Sequence, residues 1–319
     1  MASGPVFSAR RELGRTGFLA TRLGIGDLAD RNVPLERCVA TLRRALDAGL
    51  NVVDTAPNYE DGYSEQIVGA ALAGRRDGVF VIDKVDHVDR PVRPQVEGSL
   101  ARLGLPSIDL FVFHSVSALE VYERLIQPGG AWGELEACRA AGQCRFIGLS
   151  SHDPRVLRAA LDRGGSDVLM FPVGPFVDAR YTEEILPLAR QRGVGSVCFK
   201  TFGAGKLLGD SSGYGRPLVE RPRGKLSSGG SDPAAPELPC LTVDECLAYT
   251  LTLDPDVALL GLSFPNEQDA AWAAAARFQA ALSSAAPSSA ALSPAALADV
   301  RARAERAVQG KGECWWNPS

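Results

Sequence analysis

Four side chains in this sequence of 319 residues combine into a proton-transfer chemistry: Asp54, Tyr59, Lys84 and His114. Three of them lie at or near the ends of apolar runs, Asp54 in NVVD at 51–54, Lys84 in VFVIDKV at 79–85 and His114 in IDLFVFH at 108–114. Tyr59 follows Asp54 through a short Pro-Asn loop, which is enough chain to turn back over it. A neutral Tyr can donate a proton to a carbonyl oxygen, but its ordinary pKa of about 10 makes the phenolate unfavourable at neutral pH. A Lys84 cation beside it would stabilise that phenolate, and Asp54 would hold the ammonium and offset its desolvation. His114 would donate a hydrogen bond to the same carbonyl and fix its angle. Together they would polarise an aldehyde or ketone as hydride arrives. Taken singly, each has a plainer use: Asp54 as a cap, Tyr59 as a packed aromatic, Lys84 as a structural ion-pair member, His114 as a satisfied core residue.

The elements that would bring these four together follow one another regularly. Strand candidates lie at 22–26, 51–54, 79–85, 108–114, 144–150, 167–172, 193–200 and 256–263. Helical spacing occupies 35–48, 64–72, 95–103, 131–141, 153–161 and 182–191, and an alanine-rich helix runs from Glu267 to about Leu282. Eight strands, each followed by a helical segment, are the connectivity of a (β/α)8 TIM barrel, whose catalytic groups gather at the C-terminal ends of the strands. A doubly wound sheet would favour a Gly-rich phosphate turn after its first strand. LGIGDL lacks that pattern, having Leu28 and Ala29 where the third Gly should come. The expectation is therefore one α/β domain over residues 1–319, with an additional C-terminal helix from about Pro294 to Val308.

Composition narrows the partners. With 34 Lys+Arg against 38 Asp+Glu the chain carries no basic field to gather nucleic acid or an anionic membrane. No run reaches the roughly 18 apolar residues of a membrane span, and the start, MASGPVFSARREL, has no apolar signal core. A cytoplasmic protein is expected, monomeric because a barrel closes its own sheet, with a larger assembly as the alternative. Seven widely spaced cysteines without a CxxC pair read as thiols rather than a disulfide framework. Three His with no carboxylate-paired spacing argue against a metal site. The segment 209–239 holds six Gly, five Pro and five Ser, and so reads as a long loop, either a cover over the barrel mouth or an insertion. Trp315 and Trp316 in the tail are expected to fold back onto an apolar surface.

The sequence resembles the aldo-keto reductase superfamily. Asp54, Tyr59, Lys84 and His114 fall in the order of its catalytic tetrad, DTAPNYEDGYSEQIVG at 54–69 surrounds the first two, and GLSSHD at 148–153 is similar to its cofactor-binding strand end. The similarity runs from about residue 11 to 307. It implies an NADPH-dependent reductase of a small-molecule aldehyde or ketone, with NADP(H) favoured and NAD(H) as the other candidate. It also implies that Ser150 and Ser151 hold the nicotinamide carboxamide, that Phe199 packs on the ring, and that Gly261, Leu262 and Ser263 form the late phosphate loop. Met170 stands where the family commonly has Gln, Ser151 where Asn is common, and Val173-Gly174 where Tyr-Asn is common. A thioether cannot reproduce an amide's paired donor and acceptor. The stretch GLSFPNEQDA lacks a cation for the extra phosphate of NADPH, leaving Lys200, Lys206 and Arg277 as candidates. The alternative is a nicotinamide-binding regulatory or interaction subunit with weak turnover.

Overall fold

The computed structural model describes residues 10–26, 31, 33–208, 239–261, 265–282 and 291–317, without the side chains of 265–267 and 281–282. Its centre is a closed barrel of eight parallel strands: β3 (Leu23–Gly26), β4 (Val52–Asp54), β5 (Phe80–Val85), β6 (Ile108–Phe113), β7 (Cys144–Ser150), β8 (Val168–Pro172), β9 (Gly195–Phe199) and β10 (Val257–Leu260). They pair in chain order, and β10 closes on β3. The helices α1 (Leu35–Asp47), α2 (Tyr63–Leu72), α3 (Val92–Leu103), α5 (Ala131–Ala140), α6 (Pro154–Arg163) and α7 (Leu186–Gln191) follow successive strands as anticipated. Their burial follows their spacing. In α1 the buried side chains are Cys38, Val39, Leu42, Ala45 and Leu46, one stripe of a 3.6-residue period. The alanine-rich helix α9 is Pro265–Leu282 and the C-terminal helix α10 is Pro294–Ala307. Most of the long loop, 209–238, and the end of the last strand candidate, 262–263, lie outside the described residues.

Short local elements were not anticipated. A hairpin, β1 (Arg10–Glu12) and β2 (Leu19–Thr21), precedes the barrel, and Leu13 between its strands enters the barrel interior from below. Helix α4 (Leu119–Leu125) interrupts the insertion after β6, a π-helical turn at Tyr181–Ile185 leads into α7, and α8 (Val243–Thr252) starts on a capping box between Thr242 and Glu245. The cysteines are free thiols, five of them buried. Among the described residues no helix is long and apolar enough to cross a membrane.

The lower end of the barrel is held by a repeated polar device. Every second barrel strand has, within one residue of its start, an Asp or Asn whose side chain accepts a backbone N–H from the chain before it. Asn51 accepts from Thr21 at 2.7 Å, Asp109 from Val81 at 2.9 Å, Asp167 from Ile147 at 3.0 Å and Asp256 from Ser196 at 3.0 Å. Asp109, which is buried, also pairs with Arg76 at 2.5 Å and Arg145 at 3.0 Å. Removing its carboxylate leaves the Val81 N–H without an acceptor, which costs about 1–3 kcal/mol. Asp109→Ala is therefore expected to lower the unfolding free energy from urea titration by about 1–3 kcal/mol, and Asp109→Asn, which keeps an acceptor oxygen, to lower it less; equal loss in both would assign the effect to the arginine pairs alone.

Candidate active site

Alternation along the strands decides which side chains enter the barrel. On β5, Phe80 and Ile82 belong to the inner apolar cluster while Val81 and Val85 pack outward against the helices, so Lys84 falls on the inner row. On β6, Leu110 and Val112 point inward and His114 continues their row; on β4, Val52 does so and Asp54 follows. Three polar groups thus cap three adjacent inner rows at the upper rim. Gly26 on β3 makes room for them, since a Cβ there would come within 3.0 Å of an Asp54 carboxylate oxygen. Tyr59 is carried above by the loop after β4, where Glu60, Asp61 and Gly62 all have positive φ (52°, 49° and 82°). Ser115 after β6 and Lys200 after β9 share that left-handed conformation, at 54° and 75°. Non-glycine residues adopt it at a cost of order 1–2 kcal/mol each, and such strain gathers where a site must be shaped.

The four residues are close together. Lys84 is only 2% exposed, and its Nζ donates to Asp54 Oδ1 at 2.7 Å and to the Thr55 carbonyl at 2.6 Å. It also lies 4.5 Å from the centroid of the Tyr59 ring. Burial works against the ammonium, but the fields of Asp54 and Tyr59 outweigh it, and Lys84 stays charged with its pKa above the ordinary range. The rings of Tyr59 and His114 meet edge to face at 5.8 Å. His114 Nδ1 lies 2.5 Å from Asp86 Oδ1. Burial pushes the imidazole's pKa below its usual value, against the pull of Asp86 and with the help of Lys84. Asp86 was missed in the sequence, although it continues the inner row 80, 82, 84 by two residues.

The opposite side of the rim is aromatic and basic. Phe199, at the end of β9, packs its ring 5.3 Å from that of His152. The Nε2 of His152 is buried and makes no hydrogen bond, while Nδ1 lies 3.3 Å from Ser115 Oγ. Burial, then Lys200 and His114, push the His152 pKa down to about 4, so its imidazole is neutral. Lys200 Nζ sits 4.9 Å from the Trp315 ring and 5.7 Å from the Phe199 ring. Trp316 is fully buried and donates from Nε1 to the Phe176 carbonyl at 2.8 Å. The tail therefore does fold back, onto the segments that follow β8 and β9.

Against known proteins, the profile of the Aldo/keto reductase family matches residues 21–277. The chain belongs to the aldo/keto reductase family. Its relatives include the NADH-specific methylglyoxal reductase of Escherichia coli, 30% identical over 226 residues, which are 62% of this chain and 68% of the relative. The pyridoxal 4-dehydrogenase of Microbacterium luteolum is 26% identical over 253 residues, 65% of this chain and 74% of the relative. Among solved structures, the holo form of the aldo-keto reductase AKR11C1 from Bacillus halodurans superposes with a TM-score of 0.64 at 23% identity, covering 93% of this chain and 95% of the other. That likeness bears on the fold.

In this aldo-keto reductase the residues expected to meet a nicotinamide divide in two. Ser150 is on the inner row of β7, and its Oγ accepts from the Ser115 N–H at 2.7 Å, leaving its own hydrogen to donate. Together with the half-buried Phe199 and the unpartnered His152 Nε2, it offers one aromatic face and two hydrogen-bonding groups, which fits a planar carboxamide-bearing ring. Ser151 has the opposite parity: it is fully buried and its hydroxyl bonds the Asp153 backbone at 3.2 and 2.9 Å. Met170, 1% exposed, packs within the inner apolar cluster. Gly174, in the chain just after β8, lies so close to the segment after β9 that a Cβ there would fall 2.5 Å from the Lys200 carbonyl, so the Asn common in the family has no room. Of the residues expected at a cofactor phosphate, Gly261 lies beside Gly26 and Ser263 lies outside the described residues. Lys206 is buried and donates to the carbonyls of Lys311 and Glu313, and Arg277 pairs with Asp244 at 2.5 Å on α8. Met170→Gln places an amide in this apolar layer. It is expected to lower stability by about 1–3 kcal/mol in urea titration; unchanged stability with tighter reduced-nicotinamide binding would instead show that the amide has found a partner at the ring.

Proposed function

We propose that this chain reduces an aldehyde or ketone to the alcohol with a reduced nicotinamide cofactor. The observation that carries the proposal is the buried Lys84 ammonium, held 2.7 Å from Asp54 and 4.5 Å from the Tyr59 ring centroid. A cation in that place has a purpose if the ring beside it becomes anionic. A reduced nicotinamide, when bound, supplies hydride to the carbonyl carbon. Tyr59 gives its proton to the carbonyl oxygen, the resulting phenolate is stabilised by Lys84, and solvent later returns the proton. Asp54 keeps Lys84 in place and charged, and His114 faces the same oxygen from the neighbouring strand. Phe199, Ser150 and His152 would hold the ring and its carboxamide.

Of the three cations proposed for an extra phosphate, Lys206 and Arg277 are engaged elsewhere, and Lys200 lies against the rings of Phe199, Trp315 and Trp316. We therefore infer that NADH is bound at least as tightly as NADPH, which shifts the balance from the NADPH preference implied by family resemblance. The named preference of the Escherichia coli relative for NADH is in keeping with this. The aldehydes in the names of the two relatives, methylglyoxal and pyridoxal, are the first substrates to try.

Tyr59→Phe keeps the ring and removes the proton, so single-turnover oxidation of the reduced cofactor should slow by roughly 10²-fold or more while cofactor affinity is retained. Near-normal transfer in the folded variant would remove Tyr59 as the acid. In a fluorescence titration of the purified protein, NADH should bind with a Kd no greater than that of NADPH. An NADPH preference of tenfold or more would restore a phosphate-binding cation to the site.

A further inference from the structure

The bond between His114 and Asp86 changes what His114 can offer. A carboxylate only accepts hydrogen bonds, so at 2.5 Å the hydrogen must sit on Nδ1 and point toward Asp86. In a neutral imidazole the other nitrogen, Nε2, then carries a lone pair. That nitrogen lies on the edge of the ring away from Asp86, and a lone pair there repels a carbonyl oxygen instead of binding it. Only the imidazolium has hydrogens on both nitrogens.

We propose that Asp86 is a positioning residue that locks His114 as the Nδ1–H tautomer, so that His114 offers a hydrogen to a carbonyl oxygen only as the imidazolium. Resting on the carbonyl-reductase function proposed above, this gives the reaction a proton requirement at His114 in addition to the one met by Tyr59. The groups that act on His114 come from every neighbouring strand end. They are Asp86 and Lys84 from β5, Asp54 from β4, Tyr59 from the loop beyond it and His152 from beyond β7. Asp86 and Asp54 favour the imidazolium, while Lys84 and burial oppose it. His152 presents a neutral ring, and Tyr59 meets the imidazole edge to face. Asp86 is 10% exposed and His114 16%, so water does not readily replace the bond between them.

The sign follows from the tautomer. Below the imidazole pKa, His114 donates from both nitrogens and the carbonyl is held. Above it, the Nε2 hydrogen is lost and reduction should slow by up to roughly tenfold per pH unit. Asp86→Asn preserves the size of the side chain and can either accept from Nδ1–H or donate an amide hydrogen to Nδ1. In the second arrangement the neutral imidazole carries its hydrogen on Nε2, and donation to the carbonyl no longer needs a charge.

The test compares single-turnover reduction of methylglyoxal, or of pyridoxal if methylglyoxal is not turned over, between pH 5.5 and 8 in the wild type and in Asp86→Asn. The wild-type rate should fall as pH rises through the imidazole pKa, while the variant should vary by less than about threefold over the same range. Parallel profiles displaced by a constant factor, in a variant whose His114 has become the Nε2–H tautomer, would make Asp86 merely structural and overturn the proposal. A second measurement does not depend on turnover. With three histidines in the chain, ¹⁵N spectra of the imidazole rings at pH 8 can be assigned from His87→Gln and His152→Gln. His114 should be the Nδ1–H tautomer in the wild type and shift toward Nε2–H in Asp86→Asn. An Nε2–H tautomer in the wild type overturns the inference even if the protein is an active reductase. Absence of any carbonyl reduction, with the tautomer as stated, overturns the proposed function and leaves the tautomer lock standing.

Discussion

The buried ion pair between Lys84 and Asp54 is the constraint around which the upper rim is built. Taking a carboxylate and an ammonium out of water costs several kcal/mol per ion, and their attraction offsets this only when the geometry is good and the remaining hydrogens are satisfied. Here the second Lys84 bond goes to the Thr55 carbonyl, and the Tyr59 ring covers the ammonium. An apolar pair of the same volume would fill the barrel as well or better, so stability alone does not account for these charges. What the pair provides is a fixed positive charge beside a phenol. The barrel contributes by closing: a sheet with open edges could not enclose the pair on all sides, and β10 pairing with β3 removes those edges.

The barrel was legible in the sequence because each apolar run is short, bounded by turn residues and followed by a helical stripe. The tetrad was legible for a related reason. Asp54, Lys84 and His114 each extend an inward row by one step of two residues beyond the apolar positions that declare the row. The same parity separates Ser150 from Ser151, which family resemblance had grouped together. Asp86 also obeys it, but lies beyond Val85, where the apolar run that declares the strand has ended. The Asp and Asn residues at the starts of alternate strands were harder to see, since each is defined by a partner 20 or more residues away in the chain, as with Asp109 and Val81.

The tail shows a different limit. Lys206 and Lys311 are buried, and each reaches across to the other's stretch of backbone, Lys311 Nζ donating to the Lys206 carbonyl at 2.6 Å. Charged side chains are seldom fully buried unless paired, so nothing in their residue types distinguished them from phosphate-binding cations. Their use depends on where the end of the chain folds, which local patterns do not encode. Trp316 supplies the reason it folds there: its ring is fully buried and its N–H is satisfied by Phe176, a combination that needs a preformed apolar slot with a carbonyl at its end.

These two lysines and Met170, Ser151 and Gly174 all belong to the β7–β9 side of the rim, whereas the tetrad stands on β4–β6. The division has a physical basis. On the tetrad side Lys84 is tied to Asp54 and His114 to Asp86, so a change in one partner would leave a buried polar or charged group unpaired. On the other side the positions are governed by packing, and the packed residues depend on one another. Gly174 allows the chain after β8 to lie against the Lys200 carbonyl, Lys200 takes up a left-handed backbone there, and its side chain lies close to the aromatic rings of the tail. Replacing Gly174 by a larger residue would therefore displace Lys200 and the tail with it, without touching Lys84 or Asp54. In the proposed enzyme, the proton chemistry and the shape of the pocket are thus held by separate sets of contacts, and the pocket is free to diverge while the chemistry is kept.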